Sequence, residues 1–196
     1  MPVTAAIALD TLSRQERLTV ARIIKVNHAG EYGAIRIYRA QLAIARLWMT
    51  DLTTFLGETL SHEETHCRRF REAMDERGTR PCYAMWLWGI GGGVLGLVTA
   101  LMGRNAVMAC TKAVEQTVYS HLEDQLHWLA RRDEALRTTI AAIQVEEDAH
   151  LAHACAHLAP SPLNHLIEAF VVVATEIVIW LSTQGAASRM AATLAR

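Results

Sequence analysis

Two short stretches of this chain follow one pattern, Glu-x-x-His: EETH at residues 63–66 and EDAH at residues 147–150. A further glutamate stands thirty-two residues before each stretch, Glu31 before the first and Glu115 before the second. The same arrangement therefore occurs twice, a lone glutamate followed by a Glu-x-x-His pair. Because positions i and i+3 share one face of a helix, each pair is predicted to present its glutamate and histidine together.

The regions around these motifs are predicted to be helical, because they contain few helix breakers and no alternating strand pattern. The four prolines, at 2, 81, 160 and 162, leave long uninterrupted segments between them. Each predicted helix has a capping residue at its start. The first predicted helix covers about residues 14–48 and opens with the capping box Ser13–Glu16. The second is capped by Thr50 or Asp51 and ends before Gly78, and the third is capped by Asn105 and runs to about Arg131. The fourth is capped by Asp133 and stops before Pro160, and the fifth opens at Ser161–Pro162 and ends near Gly185.

The spacing also predicts how these helices pair. The midpoint between Glu31 and the first Glu-x-x-His pair lies near residue 48, and the corresponding midpoint of the second copy lies near residue 132. Both midpoints fall at predicted breaks between helices. In an antiparallel hairpin, residues equally far from the turn lie level, so each lone glutamate should lie beside its Glu-x-x-His pair. Two such hairpins packed face to face bring four glutamates and two histidines together.

Four carboxylates and two imidazoles inside a helical bundle are the ligand set of ferritin-like di-iron or di-manganese proteins. Four buried carboxylates without counter-ions would be prohibitively costly, whereas two divalent cations neutralise them. Mixed oxygen and nitrogen ligands favour iron or manganese over metals that prefer thiolates. The candidate metal ligands are Glu31, Glu63, His66, Glu115, Glu147 and His150.

Other histidines lie near these positions. His121, six residues after Glu115, is interpreted as a partner of a ligand or as a proton relay. His28 shares a face with Glu31 and supports either the site or the fold. His153 and His157 continue the face of His150, where they either support the site or form a solvated stripe.

Two competing motifs explain less of the sequence. HEETH at residues 62–66 matches the HExxH signature of zinc proteases, but that interpretation leaves the second copy of the repeat unused. Residues 91–96, GGGVLG, match GxGxxG, yet a dinucleotide site requires a βαβ unit that the pattern does not predict.

Residues 84–103, AMWLWGIGGGVLGLVTALMG, carry no charge and are long enough to cross a bilayer. A single crossing would place the two halves of one metal site on opposite sides of the membrane. This insert is therefore predicted to associate with one leaflet or to pack against the equally apolar fifth helix, residues 163–184. The alternatives are a buried crossover helix and a contact between copies of the chain.

The composition excludes several classes of protein. Of 196 residues, 52% are hydrophobic, which excludes intrinsic disorder. A net charge of −1 without runs of like charge argues against a nucleic-acid partner. The four cysteines form no CxxC pair and are interpreted as reduced thiols. We expect one all-α domain over residues 1–196, a ferritin-like four-helix bundle with a Gly-rich apolar insert between helices 2 and 3 and an apolar fifth helix.

Several segments resemble the demethoxyubiquinone hydroxylase family. They are VNHAGEYGA at 26–34, EETH at 63–66, AVE at 113–115, EEDAH at 146–150 and IWLS at 179–182. The resemblance extends from about residue 18 to residue 184. It implies a ferritin-like di-iron monooxygenase of ubiquinone biosynthesis, which hydroxylates the ring of a polyprenylated methoxy-benzoquinol. The six candidate ligands all match family positions, and so does His121.

The resemblance further implies two iron ions per chain, O2 as co-substrate and an external reductant, expected to be NADH. The expected partners are the quinol substrate, a membrane lipid surface, a second copy of the chain and other proteins of ubiquinone biosynthesis. The expected location is the cytoplasmic face of a bacterial inner membrane, or the mitochondrial inner membrane, as a monotopic peripheral protein. The alternative functions are a rubrerythrin-type peroxidase or iron-binding protein, and a membrane adaptor or quinone carrier without redox activity.

Overall fold

A computed structural model describes residues 12–194 of the chain, and in this range it contains seven α-helices and no strand. The helices are α1 (Arg14–Trp48), α2 (Thr53–Glu76), α3 (Met85–Met102), α4 (Arg104–Leu129), α5 (Glu134–His157), α6 (Pro162–Thr183) and α7 (Ala186–Leu194). The predicted all-α class is therefore confirmed.

Three of the predicted helix starts are also confirmed. Ser13 Oγ accepts a hydrogen bond from the Glu16 amide, and the Glu16 carboxylate accepts one from the Ser13 amide, which completes the capping box. Asp133 accepts a hydrogen bond from the Leu136 amide at the start of α5. Ser161 accepts one from the Leu163 amide at the start of α6. These caps satisfy amide groups that a helix leaves unpaired at its first turn.

Two capping predictions were wrong, because the side chains concerned have partners elsewhere. Thr50 and Asp51 lie in a short 3-10 turn, Thr50–Leu52, and α2 starts after it without a side-chain cap. Asp51 forms an ion pair with Arg104 instead. Asn105 lies inside α4, which has no side-chain cap, and its side chain bonds to Asn164 and to the Ala159 amide.

The helices form two antiparallel hairpins, α1–α2 and α4–α5, that pack face to face. Arg77, just after α2, links the hairpins by making two hydrogen bonds of 2.8 and 2.9 Å to the Asp133 carboxylate at the start of α5. Both side chains are almost fully buried, with exposed fractions of 3% and 2%. Removing one partner of such a pair costs about 3–5 kcal/mol, because the other charge stays buried.

Apolar clusters occupy both ends of this bundle, and the candidate metal ligands lie between them. One cluster includes Ile24, Phe70, Leu129 and Ile140. The other includes Tyr38, Leu56 and Met108. A polar layer enclosed in this way is screened from water at both ends. The architecture is a ferritin-like four-helix bundle.

The apolar segment forms α3, which lies along α1 and connects the two hairpins. Close packing depends on glycine, because a Cβ atom built at Gly92 would lie 2.4 Å from the Gly33 carbonyl oxygen, and one at Gly96 would lie 2.3 Å from that of Ile37. The contact of α3 with α6 includes one hydrogen bond, from Trp88 Nε1 to Ser182 Oγ, at 3.0 Å. The structure thus places the insert mainly against α1 rather than against the fifth helix.

The outer faces of α3 and α6 are apolar and exposed. Exposed side chains include Trp86, Ile90 and Val94 on α3, and Phe170 and Trp180 on α6. Both helices are long and apolar enough to cross a membrane by length and composition alone. The two hairpins that flank α3 nevertheless pack on each other, linked by the Arg77–Asp133 pair.

Candidate metal centre

The six candidate ligands are all buried and lie at one level of the bundle. They are Glu31 on α1, Glu63 and His66 on α2, Glu115 on α4, and Glu147 and His150 on α5. Each of the four bundle helices therefore contributes at least one of them. The structure therefore brings together the six side chains that the spacing of the repeat predicts to meet.

The six side chains form two overlapping groups of four. Within each group, one potential ligand atom per residue lies within 4.8 Å of the others. The first group is Glu31, Glu63, His66 and Glu147, and the second is Glu63, Glu115, Glu147 and His150. Because Glu63 and Glu147 belong to both groups, the arrangement suits two neighbouring cations that share two carboxylates.

Burial of so many acidic groups changes their protonation. Burial, together with the charge of Glu147, raises the pKa of Glu31 to about 7. Burial and the same charge raise the pKa of Glu63 and of Glu115 well above their usual range. In the absence of cations, these carboxyl groups therefore retain protons near neutral pH.

Glu147 and His66, by contrast, are both held in their charged forms. Burial disfavours ionisation of Glu147, but hydrogen bonds from His150 and His66 lower its pKa to about 2. Burial likewise disfavours a charge on His66, but its hydrogen bond to Glu147 and the charge of Glu31 raise its pKa to about 9. A metal ion that binds here must displace the protons held by the other carboxyl groups and by His66, so metal binding releases protons.

The donor set fits a pair of divalent cations. Glu63 Oε1 is buried and has no hydrogen-bond partner within residues 12–194, although an unpaired buried carboxylate oxygen is costly. A cation beside this oxygen would supply the missing partner. Four carboxylates and two imidazoles also match the ligand preference of iron and manganese.

Tyr38 is a member of the site that the sequence analysis missed. Its hydroxyl group donates a hydrogen bond to Glu115 Oε1. Burial and the charge of Glu115 raise the pKa of Tyr38 well above its usual range, so the hydroxyl keeps its proton and remains a donor. Tyr38 follows Glu31 by seven residues, two helical turns, which places both on one face of α1. This two-turn spacing from Glu31 is the feature of the sequence that could have identified Tyr38.

His121 lies outside both ligand groups. Its Nε2 atom is 2.9 Å from Oε1 of Glu176, one of two acidic residues on the mainly apolar helix α6. The His121 side chain is about one-fifth exposed, and that of Glu176 is half exposed. His121 lines a cavity between α1, α3, α4 and α6, and Glu176 lies at the surface, so the pair reaches from the cavity wall to the surface.

The remaining histidines do not join the ligand groups. His153 stacks on Phe55, with ring centroids 3.8 Å apart, and on His157 at 4.1 Å. His28 is buried, and burial lowers its pKa. His62, which the zinc-protease motif requires as a ligand with His66, belongs to neither group among residues 12–194.

A cavity of about 520 Å³ leads to the ligand cluster. It lies between α1, α3, α4 and α6, and its wall is mainly apolar. The carboxylates of Glu31, Glu63, Glu115 and Glu147 line it. Ile90 and Val94 of α3 and Phe170 of α6 also line it, and all three are exposed on the outer surface. The cavity therefore joins the polar cluster to the exposed apolar faces of α3 and α6.

Besides the four glutamates, the cavity wall includes the polar side chains of Asn27, Gln125 and His121, and each of these three has a hydrogen-bond partner. Asn27 of α1 and Gln125 of α4 exchange two hydrogen bonds of 2.7 and 3.0 Å. His121 is paired with Glu176 of α6. An apolar chamber with a few placed polar groups is suited to a ligand with a polar head and an apolar body.

Comparison with known proteins gives a family match over most of the chain. Residues 18–182 match the family model described as "Ubiquinone biosynthesis protein COQ7". A relative from Dictyostelium discoideum, named NADPH-dependent 3-demethoxyubiquinone 3-hydroxylase, mitochondrial, is 37% identical over 186 residues, which cover 93% of this chain and 83% of the relative.

Two further relatives have corresponding names. The Homo sapiens protein with the same name as the Dictyostelium relative is 35% identical over 177 residues, covering 88% of this chain and 81% of the relative. A Rhodospirillum rubrum protein named 3-demethoxyubiquinol 3-hydroxylase is 33% identical over 164 residues, covering 83% and 77%.

Proposed function

Because this chain belongs to the COQ7 family of ubiquinone biosynthesis proteins, we propose that it hydroxylates the ring of demethoxyubiquinol at a di-iron centre. The reaction is a monooxygenation: one oxygen atom of O2 enters the ring, and the other leaves as water after taking up two electrons from the reductant and two protons. The observation that carries the proposal is the apolar cavity that ends on four buried carboxylates. A quinol ring with a long apolar tail has the shape and polarity that this cavity accommodates.

In this proposal, the six clustered side chains would hold two iron ions, and Glu63 and Glu147 belong to both groups of candidate ligands. When bound, the iron pair supplies the redox chemistry that activates O2 for insertion of an oxygen atom into the ring. The glutamates neutralise the cations. Tyr38 holds the Glu115 carboxylate through its hydroxyl group.

The chain's other residues bind the substrate and handle protons. The apolar walls of α3 and α6 hold the tail and exclude water from the ring. His121 is placed in the cavity wall with Glu176 behind it, so the pair can pass a proton between the ring hydroxyl groups and the surface. A reduced ring is the suitable substrate because its hydroxyl groups make it electron-rich.

The electrons come from a donor outside the described bundle, which contains no βαβ unit in residues 12–194. The Dictyostelium and human relatives are named as NADPH-dependent enzymes, whereas the family resemblance implies NADH. We propose that a reduced nicotinamide cofactor serves as the donor, directly or through a reductase. Rates measured with each cofactor in turn distinguish NADH from NADPH.

Association with one face of a membrane completes the proposal. The substrate stays in the bilayer because of its polyprenyl tail, and the exposed apolar faces of α3 and α6 adjoin the cavity that would receive it. Exposed Trp86 and Trp180 are suited to the membrane interface. A second copy of the chain is the alternative cover for these faces.

The test is a single-turnover assay with iron-loaded protein, a short-tailed demethoxyubiquinol, reductant and ¹⁸O2, followed by mass spectrometry of the quinone. The expected product carries one ¹⁸O atom on the ring and forms only with reductant. Glu147→Ala should abolish it, whereas substitution of exposed Glu123 on α4 should not. Consumption of reductant and O2 without a hydroxylated product, or destruction of peroxide instead, would favour a rubrerythrin-type peroxidase.

A further inference from the structure

The residue immediately before each Glu-x-x-His pair reaches across to the histidine of the other pair. Glu146 precedes Glu147, and its Oε2 atom lies 3.1 Å from His66 Nε2. His62 precedes Glu63, and its Nδ1 atom lies 3.0 Å from His150 Nε2. The contacts are reciprocal because the two hairpins are copies of one arrangement packed face to face.

These contacts determine which nitrogen of each candidate ligand faces the centre. His66 Nδ1 lies 3.1 Å from Glu147 Oε1, and His150 Nδ1 lies 3.3 Å from Glu147 Oε2. Both histidines thus direct Nδ1 toward the carboxylates and Nε2 outward. A neutral imidazole that binds a cation through Nδ1 carries its proton on Nε2 and donates it to an outer acceptor.

The two outer acceptors differ in charge. Glu146 offers a carboxylate, which is held from its other side by Arg69 at 3.6 Å. His62 is exposed and offers an imidazole nitrogen, an acceptor without a negative charge. A charged acceptor makes the stronger hydrogen bond and gives the ligand imidazole more electron density. His66 should therefore be the better metal ligand of the two.

We propose that Glu146 and His62 are positioning residues that orient the two ligand histidines and make the two metal positions unequal. The position formed with Glu31 and His66 binds its cation more tightly and fills first. The position formed with Glu115 and His150 fills second. This inference rests on the proposed metal centre, but it assigns new roles to two side chains that do not contact the cations.

The test is a titration of the metal-free protein with Co²⁺, followed by visible absorption and calorimetry. The wild-type protein should bind two ions per chain in two resolved steps. Glu146→Gln keeps an oxygen acceptor for His66 but removes the charge, so it should weaken only the tighter step, by about 10-fold. His62→Leu removes the acceptor for His150 and should weaken only the second step, by about 10–100-fold.

A gain-of-affinity variant separates positioning from a merely structural role. His62→Glu gives His150 a carboxylate acceptor like that of His66, so the second step should tighten toward the first. Glu64→Gln is the matched control, because Glu64 lies in the same motif but pairs with Arg39 at the surface. It should leave both steps unchanged. Circular dichroism of each variant confirms that the bundle has folded.

Two equal steps in the wild-type protein would overturn the proposal, as would equal weakening of both steps by Glu146→Gln. Failure of His62→Glu to strengthen the second step in a folded protein would remove the role assigned to His62. No quinol takes part in this titration. A protein that binds two Co²⁺ ions in unequal steps but hydroxylates nothing would contradict the proposed activity and leave this inference standing.

Discussion

At the scale of single residues, the costliest feature of this protein is the burial of four carboxyl groups within one layer of the bundle. Glu31, Glu63 and Glu115 respond by retaining protons, since burial and the charge of Glu147 raise the pKa of each. A layer that is unfavourable for the metal-free fold and suited to cations is typical of a binding site rather than of a structural core.

The first prediction concerns Glu115, which lies in only one of the two groups of candidate ligands among residues 12–194. Glu115→Ala should lower the iron content from about two ions per chain to one or fewer and abolish hydroxylation, because the second position loses a charged ligand. Iron is measured by elemental analysis of the purified protein. Glu123→Ala, at an exposed position on the same helix, is the control. An iron-replete and active Glu115→Ala protein would contradict the assignment.

At the scale of helices, the decisive contact is that between α3 and α1. Gly92 and Gly96 face the α1 backbone so closely that a side chain there would collide with carbonyl oxygens. Gly91 and Gly93 lie on the same helix, yet no atom of the described residues 12–194 stands within 4 Å of a Cβ atom built at either position. Gly92 and Gly96 therefore lie on the face of α3 that packs on α1, whereas Gly91 and Gly93 lie on its open face.

This difference predicts opposite effects of one substitution at neighbouring positions. Gly96→Ala should destabilise the protein by about 1–3 kcal/mol, because its new methyl group meets the rigid Ile37 backbone. Gly93→Ala should be neutral or stabilising by up to about 1 kcal/mol, since alanine favours helix and space is open. Thermal unfolding followed by circular dichroism measures both variants. Equal effects would show that α3 does not pack on α1 through this face.

At the scale of the whole molecule, the two hairpins and α3 constrain how the protein meets a membrane. The halves of the candidate metal centre lie in α1–α2 and α4–α5, and α3 connects them while lying along α1. The apolar outer faces of α3 and α6 can therefore enter one leaflet while the hairpins remain together on one side.

The third prediction is that both ends of α3 stay on the same side of the membrane. The variants carry a single cysteine, Arg80→Cys or Arg104→Cys, in a background without the four native cysteines, which are all free thiols. In sealed vesicles, a membrane-impermeant maleimide should label both positions from the same side. Labelling from opposite sides would establish a single crossing and would contradict the packing of the two hairpins.

The stability of the whole metal-free protein should depend on pH in a direction set by the centre. Glu31 has a raised pKa of about 7 and His66 one of about 9, against ordinary values of 4.5 and 6.5. Both protonated forms are favoured by the fold, so their stabilisation is complete below the ordinary values. It is lost as the pH rises through about 7 and about 9.

The fourth prediction is therefore a fall in the melting temperature of the metal-free protein between pH 5 and pH 9, by about 3 °C or more. Loading with Co²⁺ or Fe²⁺ should remove most of this fall, because the cations replace the protons. Differential scanning calorimetry at several pH values measures both forms. A melting temperature that is constant or rises over this range in the metal-free protein would contradict the prediction.

Features that depend on local periodicity can be predicted from the order of the residues alone. The two copies of the Glu-x-x-His spacing predicted which six side chains meet, because helical rise and hairpin symmetry fix their level along the bundle. The capping residues Ser13, Asp133 and Ser161 predicted three helix starts for the same local reason. The Thr50/Asp51 and Asn105 caps failed where a side chain found a partner distant in the sequence.

Contacts between helices that are not neighbours in the chain could not be predicted in this way and are seen only in the folded bundle. These are the hydrogen bond from Tyr38 to Glu115, the His121–Glu176 pair and the crossed contacts of His62 and Glu146. They depend on the rotation of each helix about its axis, which is set by the packing of many side chains at once. The placement of α3 along α1, and with it the cavity, likewise follows from surface shape rather than from residue spacing.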